Sequence, residues 1–308
     1  MLESIWEDLK REFSSGNMIT RLILVNVSVY VFINLLWVIS GIPSGGTDHS
    51  IYDEVTRYLS ISSDPWFNLT HPWVLVTNMF LHQGFMHILF NMLFLYWFGR
   101  IVGDLIGDHR ILPIYLLGGL TAGLVFFASA NLLPYGDGAI HYALGASGSV
   151  MAIVVAAGVL APEYIMRLLI LGDIKLKYIV AALVFFDIVA TGGTNNTGGA
   201  FGHLGGAAFG WLFVSQLRNG QDLSAPVNSM VTWFKDLFSG ADKSRKPKKS
   251  NKKKTKFTII KGEGSRDNTP PPQDHQEKLD KILEKIKKEG YENLTSEEKE
   301  FLFNASNK

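Results

Sequence analysis

Ser147, His203, His87, Asn91, His82 and Asp187 all lie within or at the edge of long apolar stretches. Polar side chains in such stretches are costly in lipid and usually serve a function. A serine and a histidine together offer nucleophilic acyl chemistry. The imidazole takes the hydroxyl proton while the oxygen attacks a carbonyl carbon. The tetrahedral intermediate then needs donors for its oxyanion. The Asn91 amide, a His87 ring N–H and the Ser147 backbone N–H are the candidates. His87 and Asn91 are four residues apart and so share a helix face. Gly145 and Gly148 flank the serine and leave room for a substrate backbone. The run Gly145-Ala146-Ser147-Gly148-Ser149 is not the Gly-x-Ser-x-Gly elbow of soluble hydrolases, because Ser149 holds the last glycine position. No carboxylate obviously completes a triad. The expectation is therefore a Ser147–His203 dyad, with Asp187 structural or related to a gate.

These groups can act only if separate segments carry them to one place. A membrane-crossing helix needs about 20 mostly apolar residues. Six stretches qualify, at about 19–42, 84–103, 111–133, 145–161, 176–191 and 199–217, the fourth and fifth being short. Lys10, Arg11 and Arg21, Arg100 and Arg110, Arg167, Lys175 and Lys177, and Arg218 with the basic tail all fall on one side of this plan. Only Arg57 falls on the other. Positive charge marks the cytoplasmic face, so both termini are expected there. Spans two, four and six then run in the same direction. Ser147 and His203 each lie fifteen residues before the inner end of their span, at Pro162 and Arg218. That puts both about 22 Å above the inner boundary, and Asn91 about 20 Å above it. Gly202, Gly206 and Gly210 form a small-residue stripe of the kind that lets membrane helices approach closely. Span four offers Ala152, Ala156 and Gly158 for the same purpose.

The rest of the chain has a different character. The net charge of +1 hides a strong asymmetry, since 243–256 (KSRKPKKSNKKKTK) is densely basic. Anionic headgroups beside the membrane account for such a run, and nucleic-acid binding is not needed. With no cysteine, thiolate chemistry, disulfides and cysteine metal sites are excluded. His82 and His87 lack a third convincing ligand, so neither a metal nor a cofactor is expected. Leu279, Ile282, Leu283 and Ile286 repeat at helical spacing. Thr295 and Glu298 form a capping-box pattern. The expected organisation is a cytoplasmic segment at 1–18, a six-helix core at 19–217, a basic and largely disordered linker at 218–273, and a small helical hairpin at 274–308. The fold class is an all-α membrane protein.

Taken singly, each polar residue has a plainer use. A serine in a membrane helix is more often an internal hydrogen bonder, and His82 would bond loop backbone. His87, Asp187 and His203 could form a proton relay in a transporter. An adaptor could bind transmembrane helices without cutting them. The spacings taken together are more specific. His82-x-x-x-x-His87-x-x-x-Asn91, then Gly145-x-Ser147-Gly148, then His203 followed by Gly206 and Gly210, resemble the signature of the rhomboid intramembrane serine proteases. The likeness covers about 19–217.

The resemblance implies a six-span bundle and a Ser147–His203 dyad with His87 and Asn91 as oxyanion donors. It gives supporting places to His82, Gly145, Gly148, Met151 and Gly206. It also implies cleavage of single-span membrane proteins near the outer leaflet. Family members often carry Trp-Arg in the first outer loop, where this chain has Trp73-Val74. They often carry an aromatic residue four positions after the serine, where this chain has Met151, whose sulfur can contact an imidazole. A polar loop at 134–144, with Asp137 and His141, is expected to line a wet cavity. The compact six-span plan favours a bacterial inner membrane.

Overall fold

The computed structural model describes residues 16–133, 139–168, 172–193 and 196–238, together with 281–282, 284–286, 294–295, 297–298 and 301. Two compact units are present, Met1–Asp242 and Lys243–Lys308.

In the first unit, helices occupy all six apolar stretches. These are α1 (Met18–Gly41), α5 (Phe85–Ile106), α6 (Ile111–Leu132), α7 (Ser147–Leu160), α8 (Leu176–Thr191) and α9 (Thr197–Arg218). The 43–80 region contributes three short helices, α2 (Ser50–Leu59), α3 (Pro65–Thr70) and α4 (Val74–Thr77). A further helix, α10, covers Ala225–Phe238. Met18–Ser44, Phe85–Ile106 and Asp108–Leu132 are long and apolar enough to cross a membrane by length and composition. α7 is apolar but has only 14 residues. α9 has 22 residues, with its apolar character diluted by glycine.

The ends of these helices follow from local chemistry. Asn17 caps α1 by accepting the Thr20 N–H at 2.9 Å. The Met18 N–H reaches the Asp108 carboxylate at 2.9 Å, which ties α1 to the turn between α5 and α6. Gly107 ends α5 at a φ of 95°, a conformation that suits glycine. Asp64 caps α3, where Pro65 takes the first helical position.

Three features depart from the sequence expectation. The chain is not wholly α-helical. A pair of two-residue strands, β1 (Ile61–Ser62) and β2 (Tyr142–Ala143), joins the first outer loop to the segment before α7. A hairpin of β3 (Ile165–Leu168) and β4 (Gly172–Lys175) connects α7 to α8. There Glu163 pairs with Lys175 at 2.7 Å and with Lys177 at 2.5 Å, so the basic residues of that turn are partly compensated. The third departure is α10, a helix inside the 218–273 stretch expected to be a largely disordered linker. Its apolar positions recur at helical rather than random spacing, and Val227 is buried.

In the second unit, only part of the expected hairpin at 274–308 falls within the described residues. Within that part, the capping box forms. The Thr295 N–H donates to Glu298 at 2.8 Å, and the Glu298 N–H donates back to Thr295 Oγ1 at 3.3 Å. Ile282 and Leu294 are buried, and Lys285 pairs with Glu298 at 3.0 Å. The 1–15 and 243–256 stretches and Asp137 lie outside the described residues.

The bundle is centred on α7, whose residues from Gly148 to Gly158 are all buried. α9 packs on α7 and α6, while α5 covers another side of α7. The small residues carry this packing. A Cβ on Gly206 would strike the backbone of Gly148, and one on Gly210 would strike the backbone of Ala152. Gly202 faces Ala122 of α6 instead. Gly158 lies against Val180 of α8. α8 is the peripheral helix. Its only buried residue among those described is Leu176, at its start.

Candidate active site

Ser147 is the first residue of α7, and the turn before it is fixed from three directions. Gly145 adopts a φ of 129°, open to glycine and strained for other residues. Its N–H donates to the Asn78 carbonyl at 2.8 Å. The Ala146 N–H donates to His82 Nε2 at 3.3 Å. His82 is fully buried, with its ring edge toward His87 at 5.0 Å. The nucleophile candidate therefore sits on a rigid corner at a helix N-terminus, where backbone N–H groups lack intrahelical partners.

His203 lies one turn above Gly206 on α9. Its Nε2 is 2.7 Å from Ser147 Oγ. The close backbone approach at Gly148 and Gly206 makes this distance possible. Hydrogen-bond contact between a hydroxyl and a base is the geometry that activates a serine. The two residues expected to form a dyad are thus brought together.

His203 has a second polar partner that the sequence reading did not assign. Asp187 of α8 presents Oδ1 to His203 Nδ1 at 2.8 Å. Both side chains are mostly shielded, Asp187 to 16% exposure and His203 to 27%. The spacing of sixteen residues crosses a helix, a loop and the start of another helix. No periodicity in the sequence reveals it. The available signal was a lone acid in an apolar span, which is itself expensive.

His87 and Asn91 line the same cavity as Ser147 and His203, a space of about 730 Å³. Asn91 is buried, and its amide donates one N–H to the His87 carbonyl at 2.8 Å. An amide nitrogen has two hydrogens, so one is uncommitted by that bond. The His87 ring lies over Gly145, where a Cβ would run into it. Met151 is buried and also lines the cavity. Gly148 and Gly206 act through packing. Tyr142, Ala143 and Leu144 also line the cavity, with β2 held to β1 by the sheet pairing. His141 is tied there by its backbone, accepting from the Ser63 N–H at 2.8 Å. In the first outer loop, Trp73 donates its indole N–H to the Tyr58 carbonyl at 2.9 Å. No cluster of three metal-binding side chains occurs among the described residues.

Residues 69–219 match the rhomboid domain family. The chain carries a rhomboid domain. The rhomboid domain spans α4 to the end of α9 and includes every site residue named above. The chain is 33% identical over 160 residues to RHOMBOID-like protein 12, mitochondrial, of Arabidopsis thaliana, covering 48% of this chain and 47% of that protein. It is 27% identical over 188 residues to the putative rhomboid protease YdcA of Bacillus subtilis, covering 59% of this chain and 84% of the relative. With rhomboid protease AarA of Providencia stuartii it shares 26% over 155 residues, 48% of this chain and 53% of that one. The aligned stretch thus spans about half the length of the Arabidopsis and Providencia relatives. Residues 273–308 match a family of unknown function, DUF6576. The rhomboid domain and its apolar helices make this an integral membrane protein.

Proposed function

We propose that this chain is an intramembrane serine endopeptidase that cuts single-span membrane proteins near the outer leaflet. The observation that carries this reading is the 2.7 Å approach of Ser147 Oγ to His203 Nε2 at the wall of a cavity. Hydroxyl and base come from separate helices, α7 and α9, at a common depth.

In the proposed reaction His203 Nε2 takes the Ser147 proton as Oγ attacks the scissile carbonyl carbon. The carbonyl oxygen becomes an oxyanion and receives hydrogen bonds from the Ser147 N–H, Asn91 and His87. Collapse breaks the C–N bond, and the imidazolium returns its proton to the leaving amine. Water, activated by the same imidazole, then hydrolyses the acyl-enzyme and restores Ser147. Each oxyanion donor of this kind contributes roughly 10²–10³ in rate.

The six helices are read as six spans with both termini cytoplasmic, in a bacterial inner membrane. The short α7 and α8 leave one end below the surface, where the cavity admits water. Residues 243–256 are read as a contact to anionic lipid, and 274–308 as a small interaction or regulatory module.

Purified protein incubated with a panel of single-span substrates in detergent tests the reading. The wild type is expected to yield a fragment and to react with a serine-directed fluorophosphonate. Ser147→Ala and His203→Ala are expected to do neither. A fragment that persists in either variant refutes the mechanism.

A further inference from the structure

We infer that Asp187 is a positioning residue for His203. The inference rests on the hydrolytic reading of Ser147 and His203 and deepens it. A carboxylate can only accept hydrogen bonds. At 2.8 Å from Asp187 Oδ1, His203 Nδ1 must therefore carry the ring hydrogen. In the neutral ring this leaves Nε2 as the lone-pair nitrogen, and Nε2 is the atom 2.7 Å from Ser147 Oγ. One contact thus selects both the tautomer and the ring orientation that proton abstraction needs. The carboxylate also faces the imidazolium that forms once the proton moves. Its mostly buried position makes that attraction stronger than it would be in water. Asp187 does not touch Ser147 or the substrate carbonyl, so its effect passes through His203.

A merely structural tie between α8 and α9 would leave the tautomer of His203 unchanged on removal. The experiment compares wild type, Asp187→Ala and Asp187→Glu in detergent, each with histidine labelled by ¹⁵N. The wild-type His203 signals should report hydrogen on Nδ1 and a bare Nε2. Asp187→Ala should mix the tautomers and lower kcat at least about tenfold at near-constant KM. Asp187→Glu should recover part of both signals. An unchanged tautomer in Asp187→Ala, or activity within twofold of wild type, overturns the assignment. If the wild type cuts nothing and resists the fluorophosphonate, the hydrolytic reading fails. The tautomer comparison still decides the positioning role.

A different observation carries a second inference, about α10. Met230, Trp233, Phe234 and Leu237 are exposed along one stripe of this helix, while Asn228, Thr232, Lys235 and Asp236 occupy the opposite side. Its start is fixed in level. Asp222 pairs with Arg110 at 2.6 Å, in the turn between α5 and α6, and Val227 is buried. Arg218, ending α9, donates to the Val159 carbonyl near the end of α7 at 2.6 Å. α10 therefore begins where the long helices end. In sequence it is followed by 243–256, with nine Lys or Arg and no Asp or Glu.

We propose that α10 lies in the plane of the bilayer, with its Trp233 face in the boundary between headgroups and acyl chains of an anionic leaflet. The chain lacks cysteine, so single spin labels can be placed cleanly. Full-length Met230→Cys, Phe234→Cys, Thr232→Cys and Lys235→Cys are labelled in phosphatidylcholine vesicles with and without phosphatidylglycerol. Labels at 230 and 234 should meet oxygen and escape a soluble nickel reagent, with the reverse at 232 and 235. Phosphatidylglycerol should sharpen that contrast. Equal nickel access at all four sites, equal protection at all four, or no response to phosphatidylglycerol overturns the proposal.

Discussion

The Ser147 hydroxyl and the His203 ring meet at 2.7 Å because Gly206, three residues past the histidine, rests on the backbone of Gly148, next to the serine. The contact between the two helices is made main chain to main chain. No side chain stands between them to adjust the separation, so the distance is set by the absence of a β-carbon on Gly206.

Gly206→Val tests that dependence. The added methyls have no space against the Gly148 carbonyl, and the helices must part. Overpacking of this kind costs about 1–3 kcal/mol, since it displaces backbone and not a flexible side chain. The thermal unfolding midpoint in detergent should fall, and fluorophosphonate labelling of Ser147 should fall with it. A variant that labels at the wild-type rate would show that the distance is set elsewhere.

Asn91→Ala removes a proposed oxyanion donor without touching the Ser147–His203 pair. kcat should drop roughly 10²–10³-fold with little change in KM, because the interaction is made in the transition state. Steady-state cleavage of a single-span substrate reads both constants. A rise in KM at constant kcat would assign Asn91 to substrate binding instead.

Tyr115 offers a purely structural control. Fully buried on α6, it donates its hydroxyl hydrogen to the Met79 carbonyl at 2.7 Å and accepts from the Asn26 amide at 3.2 Å. Tyr115→Phe takes the hydroxyl donor from the buried Met79 carbonyl and leaves the Asn26 amide with only its bond to the Leu22 carbonyl, at a cost of about 1–3 kcal/mol. Unfolding in detergent should move to lower temperature. Fluorophosphonate labelling per folded molecule should stay the same.

Outside the spanning helices, the Arg110–Asp222 pair gives a pH test. Desolvation pushes the Asp222 carboxyl up, but the Arg110 guanidinium and the Ser224 hydroxyl and N–H outweigh it and hold it down to about 2. The folded value thus lies below the ordinary carboxylate value of about 3.9. A depressed carboxyl adds stability above its unfolded value and loses it as pH falls. The stability gap between wild type and Asp222→Asn should be full at pH 6, shrink below about pH 4 and vanish only as the pH falls below about 2. Added salt should narrow it at pH 6, since both side chains are partly exposed. A gap that is constant with pH would mean that the pair contributes through packing alone.

Much of this site could be read from one sequence. Ser147, His203, His87 and Asn91 stand out because lipid makes polar groups conspicuous, and helical rise converts their positions into depth. The Gly202, Gly206 and Gly210 stripe marked α9 as a close-packing helix, although Gly202 turned out to face α6 and not α7. Asp187 was visible as an isolated acid, but its role was not. Whether it reached His203 depended on the rotation of α8 and on the loop at 192–196, which no repeat encodes. The β1–β2 pairing was hidden for a similar reason. Two residues on each strand carry no alternation to read, and 80 positions separate Ser62 from Tyr142. α10 is hard to read from the sequence because its basic neighbourhood has the composition of a linker, and its helical stripe is short.

The glycine seam between α7 and α9 has a consequence for how this protein can diversify. The proposed reacting pair is mounted on a chassis that uses almost no side-chain identity, while the walls on α5 and α8 carry ordinary apolar residues beside His87, Asn91 and Asp187. Exchanging Phe90, Leu183 or Phe186, which line the cavity from those walls, reshapes the space offered to a visitor without altering the mounting. On the proposed hydrolytic reading, altered preference for what is cut should therefore be attainable by repainting the walls, with the machinery left in place.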